Sequence, residues 1–418
     1  MRGCGLACLG MVLLMVSPAR GQGDLLANCL SMPKPWEVLS APRVWPWSDF
    51  DPARRMLPYQ SWCGYPHDFW LRAEFQSLWL RPGRLPPLAT AGPAGSQAVL
   101  GQPGTRLLFG GEDSDSTPLL GGQFLGGAWL DFEQRLGVEG ALQFGAEQSD
   151  RFVGFTPGGP DQPVLARPVV DALSGSPAST ASLLPSFRTG SLDIRQTSRW
   201  LAGEAHVLLN AWCRDTVRGD WLVGFRYLDL EEHLEADEAG DFELTAGGRR
   251  TFRVVLSDEF DARTRFYGGY LGLRAVWESQ PWSLQVMGRL CLGVTQQQIG
   301  IVGVTAVQDV GPGVLFAPGG LVALASNAGL EDRDVFGVVP EGSVRLSYDL
   351  CSWLRLHASA SALYWNRVLR AGDQVDLAIE PGQVPLSAGP APGLRPARNF
   401  RDSDFWLLGL GAGAELRY

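Results

Sequence analysis

Apolar and polar side chains alternate with a period of two along most of this chain. In FWLRAEFQSLW, Phe69, Leu71, Ala73, Phe75 and Trp79 share one parity, against Arg72, Glu74 and Gln76 on the other. In LGVEGALQFGAE, Leu136, Val138, Leu142 and Phe144 oppose Glu139, Gln143 and Glu147. Leu201, Val207 and Leu209 oppose Glu204 and His206, and Trp282, Val286, Leu290 and Leu292 oppose Arg289. The chain closes on FWLLGLGAGAELRY, with Trp406, Leu408, Leu410, Ala412, Ala414, Leu416 and Tyr418 on one face. Successive strand side chains point to opposite faces, so each stretch predicts a half-apolar β-strand rather than a helix.

The connections suggest how such strands assemble. The chain reverses tightly at 131–135, 213–219, 278–281 and 349–352. Long segments rich in Gly, Pro, Asp and Ser fall between, at roughly 82–118, 148–192, 232–264, 296–334 and 366–402. Short turns on one rim and long loops on the other are the plan of outer-membrane barrels. The expected fold is all-β: a transmembrane antiparallel up-and-down barrel of about ten strands, with twelve as the alternative. Its short turns would be periplasmic and its long loops extracellular. A soluble sandwich also alternates, but its strands average about 5–6 residues, whereas these run to about 11 or more. Trp406 and Tyr418 share a face twelve positions apart. At ~3.3 Å per residue and a tilt of ~40° they stand roughly 30 Å apart, close to an apolar band with an aromatic girdle at each rim.

The N-terminus adds the compartment. Residues 1–21 combine Arg2, an apolar run from Leu6 to Val16 and small residues at Ala19 and Gly21. That is the pattern of a signal peptide. Residues 22–67 form a segment rich in Pro and Trp, expected in the periplasm, and 68–418 the barrel. A net charge of −9 and a pI near 5.1 exclude a nucleic-acid partner, which needs a basic face. Five of the seven cysteines follow the signal, and Cys29 with Cys63 is the pair that export would allow. Their scatter fits no metal motif, and no cofactor is expected.

Several segments resemble a planctomycete-type family of outer-membrane β-barrel porins. They are VLGQPGTRLLFGG (99–111), GFRYLDLEE (224–232), FYGGYLGL (266–273), PGGLVALASNAGLEDRDVFGVVPE (318–341) and LYWNRVLRAGDQVD (363–376). The resemblance runs from about Phe69 to Tyr418. Tyr270 stands where a glutamine is expected, and 22–66 matches nothing. The resemblance implies an outer-membrane barrel and brings no solute with it.

Candidate chemistry lies on the polar parity. Arg72, Glu74, Glu139, Gln143, Glu204, His206, Arg226, Arg274, Arg289, Arg345, Arg355, His357, Glu415 and Arg417 would face the lumen. About ten strands leave little space beyond side chains, since open porins use ~16–18. A narrow channel or transport component for small solutes is the first expectation. A structural or adhesive surface barrel with a closed lumen is the second, and a soluble secreted sandwich the third. Lipid and the barrel assembly machinery are the expected partners. Trp406, Leu408, Leu410, Leu416 and Tyr418 resemble the C-terminal assembly signal of outer-membrane barrels. No Ser, His and carboxylate arrange into a triad, so an enzyme is not expected. The acidic run from Glu231 to Glu243 lacks calcium-loop spacing and is expected to be a solvated loop.

Overall fold

A computed structural model describes residues 68–418, apart from 82, 112–117, 132–133, 158–161, 215, 245–249, 309–312, 388–389 and 399. The Cys29–Cys63 pair and the N-terminal segments lie outside the described residues. Ten antiparallel strands close into a ring: β1 (Phe69–Leu80), β2 (Leu119–Trp129), β3 (Leu136–Phe155), β4 (Phe187–Arg214), β5 (Val217–Leu244), β6 (Arg250–Ser279), β7 (Trp282–Gln308), β8 (Gly329–Cys351), β9 (Leu354–Leu369) and β10 (Asp402–Arg417). Each pairs with its neighbours in sequence, and β10 returns to β1 with Trp70 opposite Arg417 and Leu80 opposite Leu407. The ends are stitched together, Tyr418 O accepting from the Asp68 and Phe69 amides at 2.8 and 3.0 Å. Closure leaves no strand edge in lipid, where an unpaired amide costs several kcal/mol.

The short reversals follow local chemistry. At the β2–β3 turn the Asp131 carboxylate accepts the amides of Arg135 and Leu136 at 2.8 and 2.9 Å. Gln134 adopts a left-handed φ of 52° there. Cys213 and Cys351, beside two other short turns, are both disulfide-bonded.

The long connections differ from expectation. Segment 232–264 is no loop, because β5 runs to Leu244 and β6 starts at Arg250. Much of 296–334 is likewise the upper half of β7, and β4 begins inside 148–192. The strands from β3 to β8 therefore form a tall wall, while β9, β10, β1 and β2 form a low one.

Along the tall wall the facing of the side chains inverts. On the lower part of β5, Trp221, Val223 and Phe225 point outward and are about half exposed, with Asp220 and Arg226 inside. Higher on the same strand the outward positions are Glu231, His233, Glu235 and Asp237, and the inward ones are Leu234 and Ala236. The switch falls beside the stacked pair Tyr227 and Tyr267, whose ring centroids are 5.2 Å apart. Below it the barrel is solvated by lipid, and above it by water. Aromatic pairs mark both rims: Tyr364 with Trp406 above, and Trp282 with Tyr348 below. Phe336 and Tyr348 repeat the twelve-residue spacing of Trp406 and Tyr418.

The remaining connections fold into the tall wall. Short strands at 85–92, 106–111 and 164–166 make one small sheet, and 168–171, 177–179 and 378–379 make another. Leu88, Val169, Leu184, Leu321, Leu324, Val375 and Ile379 pack against Ile194, Leu234, Leu256, Phe260 and Ile299 of the wall. The extracellular half is thus an apolar-cored cap, and a second apolar cluster lies within the membrane section.

Candidate functional site: the lumen

Every one of the fourteen polar residues singled out above lies inside the ring, and their side chains reach one another across it. Arg72 donates to Glu415 on the neighbouring β10, its Nε at 2.9 Å. Arg274 bridges Glu139 at 2.9 Å and Asp220 at 2.9 Å. Arg218 donates to Asp220 at 2.8 Å. Arg355 pairs with Asp349 at 2.6 Å and with Glu278 at 3.4 Å. Arg417 also reaches Asp349.

A relay of hydrogen bonds crosses the next level. Trp200 Nε1 donates to Gln143 at 3.2 Å, and Gln143 donates to Gln76 at 2.7 Å. Gln76 then donates to Glu74 at 2.8 Å. Glu74 also accepts from Ser359 at 2.6 Å, meets His357 Nε2 at 2.9 Å and faces Arg345 at 3.7 Å. A Cβ at Gly411 would overlap the Glu74 carboxylate, so glycine lets this side chain lie flat against β10. His206 Nε2 meets Glu139 at 2.9 Å, and its Nδ1 meets the Tyr270 hydroxyl at 2.7 Å.

A four-membered ion cluster sits beside these. Arg226 pairs with Glu204 at 2.7 Å and Glu341 at 3.0 Å, and Arg289 pairs with the same two carboxylates. It joins β4, β5, β7 and β8 through the barrel interior. Above it Trp200, Phe405, Trp365 and Phe266 stack face and edge, with centroids 5.8 to 6.3 Å apart. Arg370, from the β9–β10 connection, covers the Phe405 ring and pairs with Glu232 at 2.6 Å.

The charges balance among the described residues. Arg72, Arg218, Arg226, Arg274, Arg289, Arg345, Arg355 and Arg417 pair with Glu74, Glu139, Glu204, Asp220, Glu278, Glu341, Asp349 and Glu415. Burying a charge alone costs several kcal/mol, whereas a hydrogen-bonded pair offsets most of that. Near the periplasmic mouth a cavity of about 40 Å³ lies among these side chains, space for only a few waters.

Sequence reasoning missed Arg218, Asp220, Glu278, Glu341, Asp349 and Glu232. The first two stand on the inward parity of β5, and Glu341 on that of β8, so continuing the alternation finds them. Glu232 was hidden in the acidic run. That run is strand, not solvated loop: Glu232 and Glu238 are buried inside, with Glu231, Glu235 and Asp237 outside. Glu238 accepts from Thr180 at 2.8 Å and Thr189 at 2.6 Å, and burial pushes its carboxyl up from the ordinary range against the pull of Arg167. Arg167 donates to Asp258 at 2.5 Å, and Asp258 also accepts the amides of Leu321, Val322 and Ala323. Those bonds pin the β7–β8 connection to the wall.

Outside the lumen, His233, Glu259 and Asp261 bring ligand-type atoms within 4.8 Å of one another. His233 Nδ1 lies 2.7 Å from Asp261, and burial and the neighbouring Asp261 push the Glu259 carboxyl up. These side chains are open to solvent and satisfy one another.

The sequence places this architecture in a family. The family model for Putative beta barrel porin-7 (BBP7) matches residues 70–418. The chain belongs to that family. It is an outer-membrane β-barrel protein, consistent with the lipid-facing belt and the polar interior. No curated protein matches it in sequence. Among solved structures it is similar to the outer membrane protease OmpT of Escherichia coli, at 8% identity and a TM-score of 0.37, over 84% of this chain and 97% of that one. It is also similar to the Pseudomonas putida toluene transporter TodX, at 10% identity and a TM-score of 0.22, over 84% of this chain and 90% of the other. A Pseudomonas aeruginosa FadL homologue matches at 8% identity and a TM-score of 0.21, over 84% and 89% of the two chains. Likenesses this distant carry no argument about activity.

Proposed function

We propose that this family member is a closed barrel, a surface platform carrying its working face on the extracellular cap, rather than an open solute channel. The observation that carries the reading is the balanced ion network: eight arginines and eight carboxylates engage one another in the lumen and at its periplasmic rim. A conducting pore needs free polar surface and width, and about ten strands supply neither once the side chains meet. The cap supports the same reading, because its loops pack through a continuous apolar core instead of leaving a mouth.

A non-catalytic role fits the lumen chemistry. Ser359 and His357 both bond to Glu74 rather than forming a serine–histidine pair, which hydrolysis by a triad requires. The platform reading also has surface to offer, since Phe155, Leu315, Phe316 and Leu394 stand more than two-thirds exposed on the extracellular side. Planar-bilayer recording of the purified, refolded protein tests the proposal. A silent membrane at low and high voltage is expected, and regular single-channel steps would restore the transport reading.

A further inference from the structure

The periplasmic mouth of the lumen contains a feature that the closed-barrel reading does not use. We propose that the cavity there is a binding site for a small tetrahedral oxyanion, with inorganic phosphate as its simplest ligand. The cavity measures about 40 Å³, room for about three waters or one such anion. Five guanidinium groups line it, from Arg72, Arg274, Arg345, Arg355 and Arg417. Only two carboxylates do so, Glu139 and Glu415, because the arginines' other partners stand behind the lining. The network is neutral as a whole, but the surface it presents to this cavity is cationic.

Two of those arginines carry unused donors. Arg345 Nε and Arg417 Nε are buried and have no hydrogen-bond partner. The carboxylate that Arg345 faces, Glu74, stands 3.7 Å away, already occupied by Gln76, Ser359 and His357. Arg417 Nε likewise stands 3.7 Å from Glu415. Both separations exceed a hydrogen bond. A buried charged donor left without an acceptor is costly, and such a group calls for an occupant. Both orphaned groups belong to residues lining the same cavity. An oxyanion supplies several acceptor oxygens at once, and the planar guanidinium fork matches their spacing. Ser283, Gln285 and Ser347 add neutral polar groups to the lining. The proposal does not depend on whether the lumen conducts.

Calorimetric titration of the full, folded chain in detergent with inorganic phosphate, at ionic strength held constant with sodium chloride, tests the site. One saturable binding event per chain is expected. Arg345→Gln should weaken it at least tenfold. Gln285→Glu, which adds a carboxylate to the lining and removes no arginine, should do the same, and it carries the test if Arg345→Gln does not fold. Absence of saturable binding overturns the proposal. So does binding that survives Gln285→Glu unchanged, or heat that chloride reproduces at matched concentration, since either marks an adventitious ion only.

Discussion

The inversion of facing along β5 makes a prediction from a single strand. Val223 and Asp237 lie on the same outward face, fourteen residues apart. At ~3.3 Å per residue and a tilt of ~40°, their heights differ by roughly 35 Å. Val223 stands six residues above the periplasmic end of β5, about 15 Å up, near the centre of an apolar band of ~25 Å. It is 47% exposed, so an arginine there enters lipid and not a void. Val223→Arg should cost about 2–4 kcal/mol. That is roughly a 30- to 700-fold loss in the folding equilibrium, at 1.4 kcal/mol per tenfold. Asp237 lies above the Tyr227–Tyr267 pair, in water, so Asp237→Arg should change stability by no more than about 0.5 kcal/mol. Reversible denaturant unfolding in lipid vesicles, followed by tryptophan fluorescence, measures both. Equal costs at the two positions, or a larger one at Asp237, would refute the assigned membrane boundary.

Three further perturbations probe the cap and the terminus. Burial raises the Glu238 carboxyl, so its contribution to stability is fully present in acid, below the ordinary carboxyl range, and is lost as pH rises through its folded value. Glu238→Gln should therefore flatten the pH dependence of cap protection in hydrogen exchange, and an unchanged profile would contradict this. Asp258→Ala leaves Arg167 and three backbone amides without their acceptor, at a cost of about 3–5 kcal/mol. Limited proteolysis should then cut within 313–328 while the membrane section stays intact. We also propose that the barrel assembly machinery reads the terminal aromatic, so deleting Tyr418 should lower the folded yield in the outer membrane; a normal yield by heat-modifiable gel mobility would remove that role.

Much of the membrane section was legible in the sequence, because a strand between lipid and a polar lumen shows its alternation directly. FWLRAEFQSLW and FWLLGLGAGAELRY each carry unbroken apolar parity, and both are ring strands pairing with each other. The cap was illegible for a physical reason. Above the membrane the outward face turns polar and the inward face apolar, so Glu231, Glu235 and Asp237 look like a solvated loop while Leu234 and Ala236 form a core. Composition registers the acidic residues, and only the continued period of two shows that the strand has not ended. The ion partners obey the same logic: Arg226 and Arg289 are visible on their parities, but the carboxylates they share, Glu204 and Glu341, lie 22 and 115 residues from Arg226. Sequence spacing across a barrel does not encode which inward residues meet.

Cys291 offers a direct test of the closed lumen without any mutation. It is a free cysteine pointing inward from β7, fully buried beside Glu341 in the membrane section. Folded protein in vesicles is treated from both sides with a small, water-soluble maleimide, and the modified peptides are mapped by mass spectrometry against a denatured control. A closed barrel predicts that Cys291 stays unmodified when folded and reacts fully once denatured. Rapid labelling of Cys291 in the folded barrel would show a continuous aqueous path and contradict the account.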